Sequence, residues 1–159
     1  AFAKTSRACP PFCIHAMEAA PGVETLGELE LMAFMKEHVE AGTGLLIDSR
    51  LDNWYRAGTI PGAINLPFTL FAPSTENPFL LPLLRKLGAT QDEDGLWEFG
   101  EAKHLALFCN GPWCDQSPRA IRNLLILGYP ASKLHYYRGG MQNWLMLGLN
   151  TEVPDSVGG

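Results

Sequence analysis

Four cysteines are the side chains of this 159-residue chain best suited to covalent chemistry, and they form two local pairs, Cys9/Cys13 and Cys109/Cys114. A thiol reacts as its thiolate, so the surroundings that stabilise an anion decide which of them can act. Cys109 follows the apolar run Leu105–Phe108 and precedes a segment in which Ala120, Ile121, Leu124, Leu125 and Leu127 recur at helical spacing. That order reads as a buried strand, a cysteine-bearing loop and a helix. Ser117 is placed to cap the helix, Pro118 to take its first position and Gly128 to end it. The loop Asn110, Gly111, Pro112, Trp113, Cys114, Asp115, Gln116 and Ser117 then lies against a helix N-terminus, whose unpaired N–H groups and positive dipole end favour an anion. A lowered Cys109 thiol pKa is the expectation. Against it stands the ordinary fate of a cysteine after an apolar strand, which is to be a small buried core residue.

The elements that must position this loop are legible on either side of it. Val23–Leu26 reads as a short strand and the next segment as a helix, with Thr25 and Glu28 at capping-box spacing and Leu31, Phe34, Met35, His38 and Val39 on one face. His38 reads as a residue at the core edge, because no second histidine stands one turn away. Leu45–Asp48 is a near-continuous apolar run suited to a parallel strand covered on both faces, with Asp48 and Arg50 emerging at its functional end. Asp48 is also placed to cap a helix over Leu51–Ala57. Gly58–Pro67 reads as a turn into a strand over Ala63–Leu66, and Pro78–Leu87 as a helix. The long stretch Phe68–Gly88 suits core filler better than a lid. Gln91–Gly95 is an acidic turn, Leu96–Phe99 a candidate edge strand, Leu134–Tyr137 the last strand and Met141–Leu147 the closing helix. Trp144 reads as core, while Trp113, Tyr136 and Tyr137 suit either core or pocket wall.

Taken in order, Asp48 in LLIDSR, Gly58–Asn65 (GTIPGAIN), Cys109 at a strand end, Tyr137–Met141 (YRGGM) and Trp144 resemble the successive signatures of a rhodanese domain. The resemblance covers about Val23 to Leu149. It implies an α/β fold of three layers, a mainly parallel central sheet of about five strands with helices on both faces. It also implies a sulfurtransferase, in which Cys109 carries sulfane sulfur as a persulfide from a small donor such as thiosulfate to a thiol or cyanide acceptor, or to a protein acceptor. The loop N–H groups would stabilise the terminal sulfur as an oxyanion hole does, and no metal or organic cofactor is required. Asp48 takes a structural role, while Arg50 and Arg119 are candidates for the pocket.

Three departures from the family's pattern bear on function. Where an arginine and serine commonly follow about five residues after the cysteine, this chain has Cys114, and its serine, Ser117, comes later. Asp115 stands where rhodanese-like phosphatases need their phosphate-clamping arginine, which argues against phosphatase or arsenate-reductase chemistry. A negative loop would also repel a thiosulfate dianion by ~1 kcal/mol or more at short range. Thr59 replaces a common histidine, a change the backbone can tolerate. Cys114 opens a second class of function, a thiol redox pair with Cys109. A third is a binding module without turnover that uses the Cys9–Cys13 arm as its contact.

Composition frames these readings. With 47% hydrophobic and 18% charged residues the chain suits one soluble domain, read here as residues 23–150 between an irregular arm, 1–22, and a tail, 151–159. A net charge of −5 without a basic run argues against nucleic acid. No apolar run approaches the ~18 residues of a membrane span. In the arm, CPPFC suits a local disulfide in an oxidising compartment; the alternative adds His15 as a third metal ligand, although zinc sites usually pair such a cluster with a second Cys/His pair elsewhere. The small-x-small start, Ala1-Phe2-Ala3, and the local cysteine pairs point to a periplasmic or otherwise exported location, with a cytoplasmic one as the alternative.

Overall fold

The computed structural model describes residue 14 and residues 16–154. The Cys9/Cys13 pair and His15 therefore lie outside the described residues. Five strands, β1 (Glu24–Leu26), β2 (Gly44–Asp48), β3 (Ile64–Asn65), β6 (His104–Phe108) and β7 (Leu134–Tyr137), form one sheet in the order β1-β7-β6-β2-β3. Every pairing in it is parallel. The apolar runs of β2 and β6 are continuous because alternate residues enter two separate cores. Ile47, Leu105, Leu107, Leu134 and Tyr136 face α3 (Leu80–Lys86) and α4 (Gln116–Ile126). Leu46, Ala106, Phe108 and Tyr137 face α1 (Glu28–Phe34) and α5 (Gly140–Met146). This is the three-layer α/β arrangement expected from the sequence.

Several element ends differ from their sequence readings, each for a local reason. Gly27, not Thr25, precedes α1, and its N–H donates to Glu30 Oε2 at 3.1 Å. Thr25 lies within β1 and donates its hydroxyl to Met17 O at 2.6 Å. The helix does not stop at Phe34 but widens into a π-helical turn over Met35–Val39. Asp48 caps nothing: α2 (Asp52–Arg56) is preceded by Leu51 and has no side-chain cap. The candidate edge strand belongs to no edge of the main sheet. It is β5 (Trp97–Glu98), paired antiparallel with β4 (Thr90–Gln91) as a separate hairpin. Phe71, Leu80, Leu83, Leu84 and Leu87 are buried in the core, so the stretch before the hairpin is packing and not a lid. Among the described residues no helix is long and apolar enough to cross a membrane.

Candidate active-site loop

The loop that leaves β6 is fixed from three directions. Asp48 and Phe108 pair as the last residues of β2 and β6, which sets the two strand ends level on one rim. Beyond them, Met141 N donates to Cys109 O at 3.0 Å and Gln142 N to Asn110 O at 2.9 Å, so the first turn of α5 holds the loop carbonyls. This approach requires Gly140, whose φ is +57° and where a Cβ would collide with Cys109 O. Within the loop, Cys114 N donates to Gly111 O at 2.9 Å, closing a turn with Pro112 in its second position. Trp113 Nε1 donates to Gln142 Oε1 at 2.7 Å and lays the indole beside both cysteines.

The two sulfurs share this enclosure and are both free thiols. Cys109 is 1% exposed and Cys114 5% exposed. Ser117 N–H donates to Cys109 Sγ at 3.4 Å, and the Ser117 hydroxyl shares a hydrogen bond with it at 3.1 Å. Ser117 is thus not the cap; α4 begins at Gln116, two residues earlier than expected, and Ser117 is turned onto the sulfur. On its other side the Cys109 thiol donates to Cys114 O at 3.4 Å. A carbonyl oxygen there favours a protonated sulfur, and burial pushes the Cys109 thiol well above its ordinary value, with the Cys114 sulfur adding to the rise. The expected lowering therefore falls on the other cysteine. Cys114 is favoured as the anion first by the neighbouring Cys109 side chain and then by the backbone N–H groups of Gln116 and Asn110 and the Asn110 side-chain amide, whose Nδ2 lies 4.0 Å from Cys114 Sγ. These donors outweigh burial and bring its thiol down to about 7. Of the two sulfurs, Cys109 holds its proton the more tightly.

A sheet of this order with a cysteine loop closing its rim can be compared with known families. The model of the rhodanese-like domain matches residues 31–147, most of the chain. The chain belongs to the rhodanese-like domain family. It is 29% identical over 119 residues to the HTH-type transcriptional regulator Rv0324 of Mycobacterium tuberculosis, covering 75% of this chain and 42% of the regulator. The chain therefore spans less than half the length of that curated relative. Among solved structures, the human single-domain sulfurtransferase TSTD1 is 26% identical, with a TM-score of 0.50 over 80% of this chain and 97% of that one. The thiosulfate sulfurtransferase of Pseudomonas aeruginosa, at 19% identity, shares the fold with a TM-score of 0.53 over 87% of this chain and 22% of that one.

In this rhodanese-like domain the other sequence candidates divide into two groups. Asp48 and Arg50 are buried and spent on each other, with Nη2 to Oδ2 at 2.6 Å and Nε to Oδ1 at 2.9 Å. Arg50 Nη2 also donates to Gly58 O at 2.7 Å, and the Thr59 hydroxyl donates to Asp48 Oδ2 at 2.8 Å. Thr59 thus completes the carboxylate's shell, which explains why threonine is accommodated here. Asp115 and Arg119 stay at the loop's outer edge. Asp115 Oδ2 pairs with Arg119 Nη2 at 3.1 Å and Oδ1 with Arg122 Nη2 at 2.8 Å. One carboxylate thus lies between two guanidinium groups, which offset the negative charge that the sequence places in the loop.

The sequence places Asn110 and Gln116 in the loop and leaves Tyr136 between core and pocket wall, without showing what their polar ends meet. The Tyr136 hydroxyl, Asn110 Oδ1 and Gln116 Oε1 are buried without a hydrogen-bond partner among the described residues. Tyr136 is within electrostatic reach of Cys109 and Cys114, and its pKa is raised first by burial and then by Cys109. Its place in an apolar strand hid the polar end it sends to the rim. Arg122, one turn beyond Arg119 on the helix, gave no signal until Asp115 was seen to need a second partner. Among the described residues no group of three or more His, Cys, Asp or Glu is arranged to hold a metal ion.

Proposed function

We propose that this domain is a sulfurtransferase that carries sulfane sulfur on Cys109. The observation that carries the reading is the Ser117 pair, a backbone N–H and a hydroxyl at the start of α4, both turned onto Cys109 Sγ. The same donors suit a persulfide, whose outer sulfur is an anion at neutral pH. Family membership and the sulfurtransferase TSTD1 support the chemistry.

The first step moves the Cys109 proton to the Cys114 thiolate, the better-stabilised anion of the pair at rest. The Cys109 thiolate attacks the outer sulfur of thiosulfate, breaks its S–S bond and expels sulfite, leaving Cys109–S–S⁻. An acceptor thiolate or cyanide then attacks the outer sulfur and regenerates the Cys109 thiolate. Arg119 and Arg122 flank the loop with a net positive charge and so favour an anionic donor over a neutral one.

Intact-mass spectrometry after incubation of the reduced protein with thiosulfate or polysulfide tests this. The expected result in Cys114→Ser is a gain of about 32 Da, one sulfur, that is lost when Cys109→Ala is added. No gain with either donor would leave a binding module without turnover as the better reading.

A further inference from the structure

We propose, resting on the sulfurtransferase reading, that Cys114 resolves the Cys109 persulfide within the chain, closing a Cys109–Cys114 disulfide and releasing hydrosulfide. The geometry assigns this role in three ways. The turn from Gly111 to Cys114 folds the second cysteine back onto the first, so that the Cys109 thiol meets the backbone oxygen of Cys114 at 3.4 Å. Trp113, anchored on Gln142, packs against both cysteines and holds the turn that brings them together. Cys114 is served by its own donors, the amides of Asn110 and Gln116, whereas an inert packing cysteine needs none. The fall of its thiol to about 7 is the same fact expressed as acidity.

The step balances with groups already in the loop. After sulfur loading, Cys114 holds the proton it took from Cys109. Its sulfur attacks Cys109 Sγ, the inner sulfur of the persulfide, as its proton passes to the outer sulfur. One S–S bond breaks and one forms: Cys109–S–S⁻ plus Cys114–SH gives the Cys109–Cys114 disulfide plus HS⁻. The outer sulfur is reduced to sulfide and the two cysteines are oxidised together. The co-reactant that restores the site is a dithiol reductant, which exchanges its own two thiols for the disulfide and leaves both cysteines reduced. The domain thereby converts sulfane sulfur and dithiol electrons into free sulfide, a use for which an external sulfur acceptor is not required.

The test loads the reduced chain anaerobically with thiosulfate or polysulfide, removes the donor, and follows sulfide by a colorimetric assay. Tandem mass spectrometry maps the peptide that spans residues 109–114. The wild type is expected to release about one sulfide per loaded chain and to lose about 2 Da in that peptide, as a disulfide requires. Cys114→Ser is expected to hold the added sulfur of about 32 Da on Cys109 and to release none. A wild type that holds its sulfur as long as Cys114→Ser, with no bond in the loop peptide, overturns the proposal and leaves sulfur transfer standing. If neither protein takes up sulfur from either donor, both readings fall. The mapped bond in the wild type decides the matter even where the variant does not fold.

Discussion

The two thiols differ because their hydrogen-bond partners differ. Cys109 faces two donors from Ser117 but also one carbonyl oxygen, inside a site that removes water. Cys114 faces the Cys109 side chain and donors from Gln116 and Asn110. A helix N-terminus near a cysteine was readable from the sequence; which sulfur each N–H would meet was not, since that depends on a turn of a few residues. The consequence is measurable. Alkylation by iodoacetamide proceeds through the thiolate, so its rate at Cys114 should rise with pH through a midpoint near 7. Site-resolved mass spectrometry of the loop peptide would follow it. In Cys114→Ser the loop should stay nearly unreactive through that range, because burial still raises Cys109. An unchanged profile in the variant would assign the acidic thiol to Cys109 instead. The charged candidates show the same limit of sequence: Asp48 and Arg50 were visible as polar residues at a strand end, but their closure on each other depends on Thr59 and Gly58, brought in by a separate turn.

Elements were more legible than the joints between them. The apolar runs of β2, β6 and β7 were readable because burial on both faces leaves no polar position to blur them. The helix starts were less readable, since a polar side chain with a better partner does not cap: Ser117 serves Cys109, and Asp48 serves Arg50. At the α5 start, the structure shows what the backbone of a glycine must clear. Gly140 has φ +57°, and an added Cβ would strike Cys109 O and lie 2.8 Å from Gly111 N. Both contacts are with backbone, which cannot swing away. Gly140→Ala should therefore cost about 1–3 kcal/mol, the scale of a strained backbone residue, and displace the loop as well. Thermal denaturation should show a lower Tm, and sulfur loading of the folded fraction should fall with it. A variant with wild-type stability and loading would mean that α5 does not set the position of Cys109.

Across the whole molecule, the parallel sheet separates two ends of different character. The rim beyond Asp48 and Phe108 carries the thiols, while the opposite end gathers three histidines from distant parts of the chain. His104 opens β6, His135 lies in β7 and His38 comes from the π-helical turn after α1. The His38 and His104 rings stack at 4.3 Å, His104 Nδ1 and His135 Nε2 are 3.5 Å apart, and Phe34 packs on His38 and His135. His38 alone looked like a core-edge residue, and its partners, some 66 and 97 positions away, left no local signal. Burial lowers the pKa of His104 first, with His38, His135 and Lys133 adding to it. Burial also lowers His135, opposed in part by Glu24 at 3.0 Å. Both groups thus bind protons more weakly in the folded chain than in the unfolded one. Their contribution to stability is complete above the ordinary histidine value of 6.5 and is lost as the pH falls through the lowered folded values. The Tm of the wild type should therefore drop between pH 7 and pH 5 as His104 and His135 take up protons. His104→Gln keeps a polar side chain at the head of β6 without a titrating group, and should flatten that drop while leaving sulfur loading at the far rim unchanged. An equally steep decline in the variant would place the acid sensitivity of the fold elsewhere, because His104 stands between the other two rings and its removal takes away both of its repulsive contacts.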